Sequence, residues 1–218
     1  MSLELSGTTP AIKGVAGSVS APALTGDDVD TGISFPSANT IKFSTGGVER
    51  MSITDSGVTG AGGKFASYAI LVDQKTSGTN GGSFTSGDWR TRDLNTEIAD
   101  PDGIVSISSN QFTLQAGSYL IKAHAPAYKV GRHQIALYDI TASSYVETGS
   151  SAYVDGGESV STDSFLTARF TCSGANVYEI RHQCGTGFNT YGFGVSILNS
   201  FAAPAENNYL TVLILKES

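Results

Sequence analysis

Apolar residues recur at every second position in short runs along most of the chain. Residues 118–125 show the pattern most clearly. Tyr119, Ile121, Ala123 and Ala125 fall on one side, and Leu120, Lys122 and His124 on the other. A period of two is the alternation of a β-strand with one packed face and one wet face. After residue 63 it predicts strands near 66–74, 89–94, 104–114, 118–126, 131–140, 146–153, 163–172, 176–184, 191–198 and 209–216, separated by turn clusters. That spacing is the one expected of a β-sandwich. No window shows a 3.6-residue period with caps, so helix is expected to be nearly absent. The segment 75–88 is small, polar and glycine-rich, and is expected to be a mobile loop.

Before residue 63 the pattern thins to islands: Ile33 with Phe35, Ile41 with Phe43, and Met51 with Ile53. Turn residues at 26–28, 36–39 and 45–47 bound them. Strands this short and this sparse in apolar area do not close a core, so this part is expected to be extended and to rely on other copies. The glycine-rich run 57–63 marks the boundary, giving an N-terminal segment 1–62 and a globular unit 63–218.

The final strand differs from the rest. Leu210, Val212 and Ile214 point one way, and Tyr209, Leu213 and Leu215 the other. A strand apolar on both faces is covered on both. One face belongs to the sandwich core, and a neighbouring subunit is the simplest cover for the other. Leu210, Val212, Leu213, Ile214 and Leu215 are therefore the candidate interface residues.

Composition narrows the function classes. The 218 residues include 26 glycines, about 12% against a usual 7%, and only 15% are charged. Acidic residues outnumber basic ones 20 to 13, with no basic concentration in either half, so nucleic acid is not an expected partner. No apolar run is long enough to span a membrane as a helix, and no signal peptide is visible at the start.

Cys172 and Cys184 are expected to be free thiols. A hairpin pairing 163–172 with 176–184 sets Phe170 opposite Tyr178 and Ala168 opposite Ile180. Cys184 then lies about eight residues, or roughly 27 Å, from Cys172, whereas a disulfide needs Cα atoms within about 7 Å. Free thiols fit synthesis in a reducing cytosol.

Catalytic and metal-binding patterns are weak. No nucleophile elbow, metalloprotease helix motif, phosphate loop or paired-cysteine motif is present. Asp100 and Asp102 form a turn before they form an acid pair. His182 and Cys184 share a strand face but make half a metal site at most. Asp27, Asp28 and Asp30 depart from calcium-loop spacing. The expectation is a protein with no catalytic residues, no cofactor and no bound metal.

Residues 26–53 carry an acidic Gly-Asp turn, Thr31-Gly32-Ile33, Phe35-Pro36, and Gly46-Gly47-Val48-Glu49-Arg50-Met51. This run resembles a module of tail-fibre and related structural proteins of tailed bacteriophages. The segments 89–97, 117–120, 125–133 and 209–217 resemble a second phage module. Its layout, through Gly117-Ser118-Tyr119 and the apolar last strand, is similar to the trimeric jelly rolls of the tumour-necrosis-factor and complement-head family. The resemblance implies an all-β homotrimeric virion protein: an N-terminal shaft or attachment segment bound to other virion proteins, then a jelly-roll head. It also implies a head that recognises a glycan or protein receptor on the host surface. The alternatives are a virion component without a receptor (a head-decorating fibre, spacer or baseplate protein) and a polysaccharide depolymerase. For receptor contact, exposed aromatics and planar donors on loops are the candidates: Tyr128 and Arg132 around one loop, with Tyr145 and Tyr153 in a neighbouring region. Trp89, the single tryptophan, is expected to pack at the start of its strand.

Overall fold

Among the described residues, twelve strands belong to a two-layer sandwich and five to a separate small sheet. The structure is a computed structural model and describes residues 16–60, 65–155, 157, 159–196 and 206–217. The chain divides into two units, Met1–Lys64 and Phe65–Ser218. Positions 61–63 of the boundary glycine run lie outside the described residues.

In the first unit, β1 (Leu24–Thr25), β2 (Gly32–Ser34), β3 (Ile41–Thr45), β4 (Val48–Thr54) and β5 (Gly57–Thr59) form an antiparallel meander in chain order. Gly46 and Gly47, both with positive φ, make the two-residue turn between β3 and β4. Register places Leu24, Ile33, Phe43 and Met51 in one row across four strands, and Ile41, Ile53 and Val58 in the next. All seven apolar side chains share one face, and none is buried. The buried residues among those described here are Pro22, Ser34, Ser44 and Ser52. The apolar islands of the sequence thus become one sheet face that is half-buried to exposed among the described residues, instead of a core.

The second unit holds β6 (Phe65–Thr76), β7 (Arg90–Thr91), β8 (Thr96–Ala99), β9 (Val105–Ser108), β10 (Gln111–Leu114), β11 (Gly117–Tyr128), β12 (Gly131–Asp139), β13 (Ser144–Thr148), β14 (Ala152–Val154), β15 (Ser161–Cys172), β16 (Asn176–Cys184) and β17 (Glu206–Glu217). One sheet has the order β15-β11-β17-β6-β8. The other has the order β13-β12-β16-β10-β9, with β14 on β12 and β7 on β16. The described residues contain no helix. Tyr119, Ile121, Leu166, Ala168 and Val212 from the first sheet meet Phe112, Ile135, Leu137, Tyr178 and Ile180 from the second in one buried cluster. The protein is an all-β sandwich, as the period-two pattern predicts.

Three expectations are corrected. The strands at 161–172 and 176–184 do not form a hairpin: β15 pairs with β11, and β16 with β12 and β10. Both put their apolar residues inward, so Phe170 and Tyr178 meet as rings 5.2 Å apart across the core instead of pairing in one sheet. The cysteines are free, but because they lie in different sheets. The segment 75–88, expected to be mobile, is anchored at Phe84. Phe84 is buried, exchanges two backbone hydrogen bonds with Phe188, and joins Ala127, Val130, Val154 and Cys184 in a second small core. The stretch 191–193 is a turn and 194–196 is irregular, so neither is a strand, and positions 197–198 lie outside the described residues.

The predicted strand 104–114 is two, because Ser109 and Asn110 both adopt positive φ and turn the chain. The span 146–153 likewise holds the end of β13 and most of β14. The short edge strand β8 has no period of its own, and its pairing with β6 is broken by a bulge between Ile70 and Leu71.

Candidate functional site

The last strand sits at the centre of its sheet, between β11 and β6. Leu210, Val212 and Ile214 are wholly buried in the chain's own core, which removes them from the candidate interface. Leu213 and Leu215 remain half-exposed on the outer face. Register places Leu215 between Leu120 and Tyr68, and Leu213 between Lys122 and Ile70. Five apolar side chains from three adjacent strands therefore make one contiguous, incompletely covered patch. Its rim is charged: Arg169 makes a forked pair with Glu217 at 2.8 and 2.6 Å. An apolar patch with a polar rim is the usual form of a protein interface. Tyr209, expected on the outer face, is buried instead: a bulge between Asn208 and Thr211 turns it inward, and its hydroxyl donates to the Thr79 carbonyl at 2.6 Å.

The four candidate contact residues occupy three places. Tyr128 packs edge-on against Phe188 and Tyr191, with the Lys129 ammonium 5.5 Å from its ring. Arg132 on β12 faces Tyr153 on β14, and Arg132 also lines a cleft of about 310 Å³ with His133, Ser151 and Cys184. Tyr145 lies opposite Tyr138, six residues and roughly 20 Å further along β12. The structure gathers only part of the set.

Around Tyr145 it gathers other residues. Trp89 is 5.3 Å from Tyr145, Tyr138 is 4.9 Å from it, and the Arg181 guanidinium lies 3.3 Å above the Tyr138 ring. Arg181 donates to Glu179 at 2.6 Å, and Glu179 also accepts from Thr91 and Gln111. These groups stand on the outer face of the second sheet. Alternation alone places Tyr138 and Arg181 outward, opposite to Leu137 and Ile180. What the sequence does not reveal is that β12, β13 and β16 are neighbours.

The remaining candidates have structural roles. Asp100 accepts the backbone N–H groups of Ile104 and Val105 and so holds its turn, while Asp102 accepts from Ser67. Asp28 accepts from Thr31 at 2.6 Å within its turn. His182 and Cys184 are buried, and burial pushes the Cys184 thiol up to about 11, so it stays protonated at neutral pH. Among the described residues no group of three or more His, Cys, Asp or Glu side chains is arranged to hold a metal ion.

Behind this lies a buried polar system. His133 Nδ1 is 3.0 Å from His182 Nε2, and His133 Nε2 is 2.8 Å from the Thr162 hydroxyl, which donates to the Tyr153 carbonyl. Arg92, wholly buried, donates to the carbonyls of Pro126, Phe193 and Tyr209, and its guanidinium stacks 4.2 Å from the Phe193 ring. Burial draws its pKa down to about 10. These residues join the two sheets to the 188–194 turn.

No protein-family profile and no curated protein matches the chain. Some solved structures are similar to it over part of its length. The globular domain of zebrafish complement 1qA is 15% identical, covering 68% of this chain and 95% of its own, with a TM-score of 0.45. Eiger TNF from S. frugiperda is 9% identical over 69% of this chain and 92% of its own, at 0.46. Murine APRIL is 8% identical over 69% and 98%, at 0.43.

Proposed function

We propose that the chain is a virion structural protein of a tailed bacteriophage: a tail fibre that assembles as a homotrimer and binds a receptor, most simply a glycan, on the host surface. The N-terminal unit attaches to other virion proteins, and the jelly-roll head carries the receptor contact. The observation that carries this reading is that, among the described residues, each unit leaves an apolar sheet face incompletely covered. Seven apolar residues of the β1–β5 sheet and the Tyr68, Ile70, Leu120, Leu213 and Leu215 patch of the head both need a partner, and three identical chains supply one to each other. The phage-like run at 26–53 supports the virion assignment. The Tyr145 cluster, on the sheet not used for assembly, supports binding over catalysis. Three heads on one particle add avidity to weak single-site binding.

Two experiments test it. Antibody raised against the chain should label phage particles at the tail, and the purified protein should compete with adsorption of that phage. Labelling without competition would leave a structural virion component with no receptor. Release of reducing sugar from host polysaccharide would replace binding with depolymerisation.

A further inference from the structure

The outer face of the β12–β13–β16 sheet carries an arrangement that the receptor reading leaves unspecified. Tyr145 is 45% exposed, yet its ring is held on two sides, by Trp89 at 5.3 Å and Tyr138 at 4.9 Å. Tyr138 is in turn covered by Arg181, 3.3 Å from the ring centroid. An exposed aromatic side chain fixed by its neighbours loses little rotamer freedom on binding, which is the preorganisation a weak ligand needs. Beside the rings lies a hydrogen-bonded row of planar polar groups: Arg181 to Glu179 at 2.6 Å, and Gln111 to Glu179 at 3.3 Å.

A pyranose ring offers a flat face of C–H groups and a fringe of hydroxyls. The first stacks on an aromatic ring, and the second needs fixed donors and acceptors at its edge. The platform supplies both within one surface. Charge then decides the class of sugar. Arg181 is already neutralised by Glu179. Arg90, the nearest other cation in sequence, pairs opposite His182, whose ring lies on the inner face of the sheet, and donates to the Thr85 carbonyl. Asp88, next to Trp89, is exposed and adds negative charge. A carboxylated sugar would find Arg181, the cation of this platform among the described residues, already paired, and would meet the like charge of Asp88.

We infer that the Trp89–Tyr138–Tyr145–Arg181 platform is a carbohydrate-binding site for neutral pyranoses. This rests on the receptor-binding reading and names its site and its class of ligand.

Trp89 is the only tryptophan in the chain, so its fluorescence reports on this place alone. Full-length protein is titrated with galacto-, gluco- and manno-configured oligosaccharides, and separately with sialylated and uronic-acid oligosaccharides. A neutral series should change Trp89 emission saturably, and the acidic series should not. Tyr145→Ala should weaken binding roughly tenfold or more, while Tyr145→Phe, which keeps the stacking ring, should stay within about threefold. Melting curves of both variants check that the fold is retained. Preference for the acidic series, binding unchanged in Tyr145→Ala, or binding lost in Arg132→Ala instead, would each overturn the inference and leave receptor binding standing. If neither series binds, labelled protein is applied to bacterial cells before and after periodate oxidation. Attachment that survives oxidation overturns the glycan site but keeps a receptor. Absence of attachment overturns both.

Discussion

His133 Nδ1 lies 3.0 Å from His182 Nε2, and both rings are buried. The chain of contacts fixes their tautomers. The Thr162 hydroxyl donates to the Tyr153 carbonyl, so it accepts from His133 Nε2–H, and His133 Nδ1 accepts from His182 Nε2–H. His182 Nδ1 has no partner among the described residues, which an unprotonated nitrogen tolerates and a protonated one does not.

Acid should therefore destabilise the head. Burial first, and then the nearby Arg92 charge, hold His133 down at about 4 and His182 well below its ordinary value. The unfolded chain takes up these protons near pH 6.5 and the folded chain does not. Stability is thus full above about pH 6.5 and falls as pH drops towards 4, by up to about 1.4 kcal/mol per pH unit for each histidine. The other charges near Arg92 are Asp73, Asp93 and Asp163, all carboxylates. Urea denaturation between pH 4.5 and 7.5 measures the slope, and His182→Gln should flatten it.

Arg92 should be irreplaceable. Its fork reaches the carbonyls of Phe193 and Tyr209 at 3.2 and 2.7 Å. Arg92→Leu strands these acceptors and should cost about 3 kcal/mol or more. Arg92→Lys should recover little, because one ammonium cannot span the same acceptors. Chemical denaturation of both variants checks this.

Phe84 should be the residue that pins the 77–88 loop. Phe84→Ala removes a ring stacked 4.3 Å from Phe193 and tilted against His182 at 4.6 Å, and should cost about 3 to 4 kcal/mol. Limited proteolysis should then cut within 77–88, where the parent protein resists.

Much of the head is legible in the alternation of single strands. The faces of β11 and the bounds of β16 follow from apolar periodicity alone, because each strand has one dry side. Strand partners do not follow. A hairpin between β15 and β16 satisfies the same alternation as two strands facing across a core, and only the competition of all strands for neighbours chooses between them. Phe84 is hidden for a related reason: one aromatic among small polar residues carries no period, yet it buries a full ring. The Tyr145 platform combines residues from three strands and a loop. Alternation shows Tyr138 and Arg181 as outward-facing one at a time, but their meeting with Tyr145 and Trp89 depends on the sheet order.

The outer face of the first sheet supplies the direct test of assembly. Leu213→Asp together with Leu215→Asp places two charges in the outer-face apolar patch of β17, and leaves Val212 and Ile214 in the core. The double variant should keep its β-sheet circular dichroism and lose its oligomeric state.

The mass of the unmodified particle in solution tests the homotrimer most directly. Light scattering after gel filtration should give three times the 22.6 kDa of one chain, unchanged on dilution through the micromolar range. A stable particle of 22.6 kDa, with Leu213 and Leu215 facing water, would contradict the account.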